Sequence, residues 1–265
     1  MKKKKTQKIM HSSPGKIILQ KFLIVFLMIT ITISITFSFF FFFRVKKITI
    51  LQNEKITSEE ILEAANIPSG RHMFAVNIKK AKSSILSLSP YIKSVTVTRN
   101  FPSEIVIEAE EYTADFYIQI EEKYYLISHT LLILEEISES EIASSGAAEL
   151  FLPEINTDSK KFGIGKKIEF FEKKDRESIP LLMKTLSKSK LFDSFTTLDL
   201  NEEANLTAIV GKQYTIKFGN KKDLEEKLRL CEEAIEYLST NMTSVTGIIH
   251  AWTSKKVTFE MTGVM

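Results

Sequence analysis

The chain has 265 residues, enough for about two small domains, and with 26% charged residues most of it should fold in water. The net charge of +3 conceals an asymmetry: seven lysines and no acid precede residue 44, leaving 29 basic and 33 acidic residues, a net of −4. A basic tail on a mildly acidic chain argues against a nucleic-acid binder. The single cysteine, Cys231, excludes an internal disulfide, and its apolar helical neighbours indicate a buried thiol.

The first predicted element is a membrane-spanning helix at Phe22–Phe43, whose 22 residues carry no charge. A helix of this length spans roughly 33 Å, enough to cross a hydrocarbon core of about 30 Å. Hydroxyl residues alternate with large apolar residues from Thr30 to Ser38, as in a strand, but an open strand in lipid would leave its backbone unpaired. A cleaved signal peptide is the alternative. A signal peptide would have a shorter apolar core followed by small residues, whereas this segment ends in five phenylalanines.

The charges that flank this segment predict its orientation. Seven lysines precede it, whereas Arg44, Lys46 and Lys47 follow it. The positive-inside rule places the tail, residues 1–21, in the cytoplasm and the large C-terminal part across the membrane. The lysines of the tail are interpreted as touching anionic lipid and not nucleic acid. The sequence therefore predicts a single-pass protein of the type II orientation.

Residues 44–113 predict a small α+β module. The pattern gives a strand at 45–51, a helix after the capping box at 57–60, a second helix capped by Asn77, and two strands within 89–112 joined at 99–102. Ile105, Ile107 and Ala109 share one face of the last strand. The order strand, helix, helix, strand, strand is typical of two helices packed on one face of a sheet.

Residues 114–265 predict a second α+β domain, dominated by antiparallel sheet. Strands are expected at 116–120, 124–127, 131–134, 196–200, 206–210, 214–218, 245–250 and 256–262, with helices at 178–190 and 223–240. The acidic stretch 135–149 reads as a loop or frayed helix, and Gly163 and Gly165 mark a turn. The first helix would carry Pro180 in its first turn and Leu181, Leu182, Thr185 and Leu186 on or near its packed face.

The sequence offers little chemistry. Its four histidines (His11, His72, His129 and His250) are scattered without zinc-ligand spacing, and adjacent acids on a strand would face opposite sides. The stretch FGIGKK, residues 162–167, lacks the frame of a phosphate loop. We therefore predict no catalytic, cofactor-binding or metal-binding residue, and interpret His250 as a satisfied or exposed side chain.

The last predicted strand is the most useful feature. A chain that ends in a strand often leaves it at the edge of a sheet, where unpaired N–H and C=O groups accept a partner's strand. Val257, Phe259 and Met261 lie on one face of this strand, and Trp252, a residue type enriched among interface anchors, lies in the turn before it. Whether Val257 and Phe259 instead face the core stays open, because one face of the strand must be core.

Five stretches together resemble a known family: VKKITILQNEKIT, SEEILEAANIPSGRHMFAVNI, SPYIKSVTVTRNFPSEIVIEAEEY, YTIKFGNKKDLEEKLRL and GIIHAWTSKKVTFEM. Their order, after a membrane anchor, is similar to that of the bacterial cell division family FtsQ, called DivIB in many Gram-positive bacteria. The residues of the POTRA motif that match are Pro90, Tyr91, Ile92, Val97, Arg99, Pro102 and Glu111. The sequence departs from the family at Asn53, Tyr112, Ala114 and His250, where glycine, arginine, proline and aspartate are frequent.

The resemblance implies a cytoplasmic tail (1–21), a transmembrane helix (22–43), a POTRA domain (44–113) and a β-domain (114–265) that ends in an edge strand. It implies a non-enzymatic scaffold at the division septum that links FtsL-like and FtsB-like (DivIC-like) coiled-coil proteins to septal peptidoglycan synthesis, with a septal penicillin-binding protein as a further partner. The implied partner-binding residues are Trp252, Lys256, Val257, Thr258, Phe259 and Met261.

Three alternatives stay open at this stage. Arg99 either supports a docking turn together with Pro102 or simply pairs with a nearby acid. For the chain as a whole, one alternative is a membrane-anchored cell-wall enzyme, which would need a converging nucleophile and base. The other is a secretion component that carries a POTRA domain, a class of protein that usually has repeated modules.

Overall fold

A computed structural model describes residues 14–51, 54–242 and 244–264, with side chains from residue 18 onward. The chain forms two compact units that interleave along the sequence. The first unit contains the chain as far as Leu51 together with Ser58–Ser84 and Thr96–Glu108, and the second contains 52–57, Ile85–Val95 and Ala109–Met265. The domain boundaries expected from the sequence, at 43/44 and 113/114, stay a prediction. Most of the predicted tail 1–21 lies outside the described residues, as does Asn53.

The first unit begins with a long apolar helix, α1 (Pro14–Phe42). Residues Ile18–Phe42 form a candidate membrane span with a mean hydropathy of 2.4, and none of its side chains is buried within the protein. The hydroxyls of Thr30, Thr32 and Thr36 each donate to the backbone carbonyl four residues earlier, at 2.5 to 2.8 Å. Because these bonds satisfy the hydroxyls within the helix, the alternating polar pattern fits a helix in lipid. The prediction of a helix over a strand is confirmed.

The elements that follow α1 have the predicted order strand, helix, helix, strand, strand. They are β1 (Lys47–Leu51), α2 (Ser58–Ala65), a 3-10 turn (Met73–Ala75), α3 (Ile78–Leu86), β2 (Ile92–Asn100) and β3 (Glu104–Glu111). The sheet order is β1-β3-β2, with β1 parallel to the central strand β3. Ile105, Ile107 and Ala109 of β3 are fully buried, as their spacing of two predicts.

The second unit is built on one nine-stranded mixed sheet with three helices. Its elements are β4 (Phe116–Ile120), β5 (Lys123–Ile127), β6 (Ile133–Ile137), α4 (Glu139–Ser145), β7 (Ala148–Phe151), α5 (Lys173–Leu186), β8 (Phe195–Asp199), β9 (Leu206–Val210), β10 (Tyr214–Gly219), α6 (Leu224–Asn241), β11 (Val245–His250) and β12 (Thr258–Val264). The strand order is β12-β11-β10-β9-β8-β7-β4-β5-β6. Three neighbouring pairs are parallel and the other five are antiparallel. The α+β class is confirmed.

Two parts of the second unit differ from the prediction. In the acidic stretch 135–149 the expected helix is present as α4, after a capping box at Ser138, but β6 continues to Ile137 and β7 begins at Ala148, so the stretch is neither one loop nor one helix. The helix expected from residue 178 begins at Lys173, so Pro180 lies inside it and not in its first turn. The polar sequence of residues 173–177 concealed this start because it carries no apolar period.

The packed face of α5 was also predicted incorrectly in part. Leu181 is 64% exposed, whereas Ile179, Leu182, Met183 and Leu186 are buried. These four positions have the spacing of one helical face, and Leu181 lies outside it. The predictions for the second helix and the cysteine are confirmed, since α6 runs from Leu224 to Asn241 and the side chain of Cys231 is fully buried. Burial raises the pKa of the Cys231 thiol to about 12.

Candidate functional site

The last strand lies at one end of the nine-stranded sheet. β12 pairs antiparallel with β11, with Ile249 opposite Phe259 and Gly247 opposite Met261, and no described strand pairs with its outer side. Edge strands carry backbone groups that are available for pairing with another chain. The prediction that the terminal strand is an edge is therefore confirmed, although the strand runs from 258 to 264 and not from 256 to 262.

The inner face of β12 is anchored to the core of the second unit. Val257 and Phe259 are partly buried and pack against the core cluster, and the Phe259 ring makes an edge-to-face contact with Tyr214 at 6.2 Å between centroids. Gly247 leaves room for this ring, because a Cβ there would overlap both the ring and the carbonyl oxygen of Glu260. Val257 and Phe259 therefore face the core, which is the alternative that the sequence left open. Within the predicted partner-binding set, these two residues support the edge strand and do not form its exposed surface.

Other residues of the edge are available to solvent. Thr258, Glu260 and Lys256 are exposed, and the apolar side chains of Met261 and Val264 are 60% and 71% exposed. A bulge between Thr246 and Gly247 shifts the register, so that Thr246 lies opposite Gly263. We call the set Trp252, Lys256, Thr258, Glu260, Met261 and Val264 the edge surface.

Trp252 is held at the end of β11 by its neighbours although its side chain is 63% exposed. Its ring lies 4.7 Å from the His250 ring, and its Cδ1 lies 3.4 Å from the place where a Cβ on Gly219 would be. The His250 Nε2 atom lies 3.0 Å from the carboxylate of Glu260. The interpretation of His250 as a satisfied residue is confirmed for Nε2, whereas its Nδ1 is buried without a partner among the described residues. The loop that carries Trp252, the partly buried His250 and the edge strand are thereby linked.

A buried lysine supports the loop beneath Trp252. The Lys227 ammonium donates to the carbonyls of Phe218 and Asn220, at 2.9 and 2.7 Å, and its side chain is 2% exposed. Burial lowers the pKa of Lys227, because a charged group loses its hydration there. These bonds fix the turn at Gly219, on which Trp252 rests. The sequence shows Lys227 within the stretch YTIKFGNKKDLEEKLRL, but it gives no sign that this lysine is buried.

The predicted POTRA residues stabilise local structure. Arg99 donates through Nε to the carbonyl of Met73 at 3.0 Å and through Nη2 to the carbonyl of Val76 at 2.8 Å. The alternative of pairing with an acid is wrong: two backbone carbonyls hold the guanidinium, and they tie the 3-10 turn to β2. Pro102 lies in the turn between β2 and β3, after a cis peptide bond from Phe101.

Two further POTRA residues, Glu111 and Tyr91, form bonds within the second unit. The carboxylate of Glu111 accepts three backbone N–H bonds from residues 54–56, at 2.7 to 3.1 Å. The hydroxyl of the buried Tyr91 donates a hydrogen bond to Glu135 at 2.7 Å. Burial is the main cause that raises the pKa of Tyr91, and the bond to the negatively charged Glu135 raises it further. Lys55 also binds Glu135, at 3.0 Å. Pro90 and Val97 are half-buried and Ile92 is buried.

Among the described residues no group of three or more histidine, cysteine or acidic side chains is arranged to hold a metal ion. Of the predicted partner-binding residues, Trp252, Lys256, Thr258 and Met261 belong to the edge surface, and Val257 and Phe259 support it. Arg99 belongs to the first unit.

Comparisons with known proteins agree with this description. Residues 43–112 match the family model described as POTRA domain, FtsQ-type. The chain is 27% identical over 213 residues to a Clostridium botulinum protein named Cell division protein DivIB, covering 79% of each chain. It is 22% identical over 207 residues to Cell division protein DivIB of Bacillus subtilis, covering 78% of this chain and 71% of the relative. Over 83 residues it is 30% identical to Cell division protein FtsQ of Syntrophotalea carbinolica, covering 31% and 29%.

Proposed function

We propose that this chain, a relative of the FtsQ and DivIB cell division proteins with an FtsQ-type POTRA domain, is a membrane-anchored, non-enzymatic scaffold of the division machinery. The names of the relatives support a role in cell division. The observation that carries the scaffold role is the position of β12 at the end of its sheet, beside the exposed Trp252. An edge strand and an aromatic anchor suit the capture of a protein segment.

The partner we propose is a coiled-coil division protein of the FtsB or DivIC kind, acting with an FtsL-like protein. A strand from this partner would pair with β12, and its side chains would contact the edge surface. Through this complex, and with a septal penicillin-binding protein as a further partner, the scaffold would be linked to septal peptidoglycan synthesis. Since Val257 and Phe259 pack against the core, we assign the side-chain contacts with the partner to Trp252 and Met261.

The orientation in the membrane is part of the same proposal. The apolar stretch of α1 is long enough to cross a bilayer, since 25 residues at 1.5 Å each extend about 37 Å. The excess of lysines before it supports a cytoplasmic N-terminus and an extracytoplasmic bulk, at the division septum. Protease added to intact spheroplasts should therefore cleave the two folded units, and a fluorescent fusion should form a band at midcell. Protection of both units from the protease would refute the orientation.

The binding site is tested by a pair of matched substitutions. Met261→Glu places a charge on the edge surface, whereas Leu181→Glu places the same charge on an equally exposed apolar position of α5. We expect the first to abolish capture of the coiled-coil partner by the full-length protein in detergent, and the second to leave capture unchanged. Equal capture by both variants would contradict the assignment of the edge surface.

A further inference from the structure

Five aromatic rings meet where α1 ends, all of them within the first unit. Phe39 belongs to the last turn of α1 and Phe43 follows the helix directly, His72 and Phe74 belong to the segment of the 3-10 turn, and Phe101 belongs to the turn between β2 and β3. Phe74 lies 6.1 Å from Phe39, 5.9 Å from Phe43 and 5.3 Å from Phe101, measured between ring centroids. We call these five residues the aromatic foot.

Backbone bonds fix the foot to the helix. The N–H of Met73 donates to the carbonyl of Phe43 at 2.7 Å, and the N–H of Val45 donates to the carbonyl of Arg71 at 2.9 Å. The segment that carries Phe74 therefore cannot move away from the end of α1 without breaking these bonds. Ring contacts of His72 and Phe74 with Phe39, and of His72 with Phe40, extend this attachment to the last turns of the helix.

Two rings of the foot are left open although they are large and apolar. Phe74 is 54% exposed and Phe101 is 51% exposed, and they lie in contact with one another. Adjacent exposed phenylalanines are unfavourable in water, and a contiguous apolar patch of this kind marks a surface that meets a membrane or a partner.

The depth of these rings follows from α1. Phe39 lies four residues before Phe43, which is roughly 6 Å along a helix axis. The Phe74 centroid lies 6.1 Å from Phe39, in the last turn of α1, and 5.9 Å from Phe43, which follows the helix. If α1 crosses the bilayer, as proposed above, Phe74 therefore lies beside the end of the span, at the boundary of the apolar layer.

Cationic residues adjoin the foot in the chain, since Arg44 follows Phe43 and Arg71 precedes His72. Arg44, Lys46 and Arg71 are exposed. An open cleft of about 570 Å³ is lined by Phe41 and Phe42 together with Arg44 and Lys46. Exposed apolar rings next to exposed cations match the acyl chains and the phosphates of a leaflet boundary, and they are less suited to a protein partner.

We propose that lipid of the outer leaflet covers Phe74 and Phe101. The first unit would then contact the bilayer through three chain segments and not through α1 alone, and we call this contact the seating of the unit. This proposal rests on the membrane anchoring proposed above. Seating through α1, the 3-10 turn and the β2–β3 turn restricts the tilt of the first unit, and it places β1, which continues from the foot, at a defined orientation to the membrane.

The test is the quenching of a single tryptophan by brominated lipid. Trp252 is the only tryptophan, so Trp252→Phe gives a silent background in the full-length protein. Phe101→Trp and Phe74→Trp report on the foot in phosphatidylglycerol–phosphatidylcholine vesicles brominated near the headgroup end of the acyl chains. Phe37→Trp, within the span, is the positive control, and Leu51→Trp, exposed at the far end of β1, is the matched negative control.

We expect the Phe101→Trp and Phe74→Trp proteins to lose most of their emission and to show a blue-shifted maximum, as the Phe37→Trp protein does, while the Leu51→Trp protein keeps its emission. If both foot variants behave like the Leu51→Trp protein while the Phe37→Trp protein is quenched, the seating is refuted and the anchoring stands. If the Phe37→Trp protein is also unquenched, the anchoring itself fails, and the seating fails with it.

Discussion

Gly247 lies in β11 beneath the Phe259 ring, and a methyl group added there tests how the edge strand is held. In a Gly247→Ala protein the Cβ would overlap the ring and the backbone carbonyl oxygen of Glu260. The ring can rotate or shift, but the carbonyl belongs to β12, so the edge strand itself has to move. The substitution is therefore expected to loosen the pairing between β11 and β12.

The expected magnitude follows from two opposing effects. Overpacking of a well-filled site costs about 1–3 kcal/mol. Replacing glycine by alanine at a position that alanine can adopt stabilises by about 0.4–1 kcal/mol, because the unfolded chain loses freedom. The difference between these two ranges is about 0–2.6 kcal/mol, and its middle value of about 1.3 kcal/mol lowers the Tm of a unit of this size by about 3–5 °C.

Gly263→Ala is the control, because it lies in β12 itself. A Cβ there would lie 3.1 Å from the Thr246 hydroxyl, which belongs to a side chain that can rotate, and we expect an unchanged or slightly raised Tm. Thermal unfolding of the full-length protein in micelles is followed by the emission of Trp252, which contacts His250 next to the edge. A Gly247→Ala protein as stable as the Gly263→Ala protein would refute the packing described for Phe259.

Three further predictions concern single groups. Arg99→Lys should lower the free energy of unfolding by about 1–3 kcal/mol, because at least one of the two backbone carbonyls loses its donor; hydrogen exchange that stays slow at residues 73–76 would contradict this. A hydrogen bond from the Thr49 hydroxyl, and then bonds from Lys47 and Asn100, lower the pKa of Glu104 to about 2. The contribution of ionised Glu104 to stability is therefore complete above about pH 4.5 and is lost as the pH falls towards 2. Glu104→Gln should flatten the fall in stability at acid pH, and a fall unchanged from that of the parent protein would count against this prediction. Cys231 should react with a thiol reagent only in denaturant, because burial raises its pKa to about 12; rapid labelling of the folded protein would show that α6 opens.

The sequence by itself determined most of the element order. The uncharged run of α1, the capping signals before α2 and α3, and the alternation in β3 are local patterns, and local patterns carry the period of a helix or a strand. The boundaries of β11 agree fully with the prediction, and α6 agrees to within a residue or two. Local rules failed where polar residues hide a periodic element, as in the first turns of α5 and in β7 within the acidic stretch.

Only the tertiary structure decided what the candidate site is made of. The alternation of side chains along a strand places Phe259 and Glu260 on opposite faces of β12, but it does not say which face packs on the core. It also cannot show that Met261, on the same face as Phe259, stays exposed. The burial of Lys227 depends on how α6 packs on the turn that follows β10, and the two carbonyls that hold Arg99 lie 26 and 23 residues before it in the chain. A strand becomes an edge only through the order of the whole sheet, because pairing between strands is a contact between distant segments that no local pattern records.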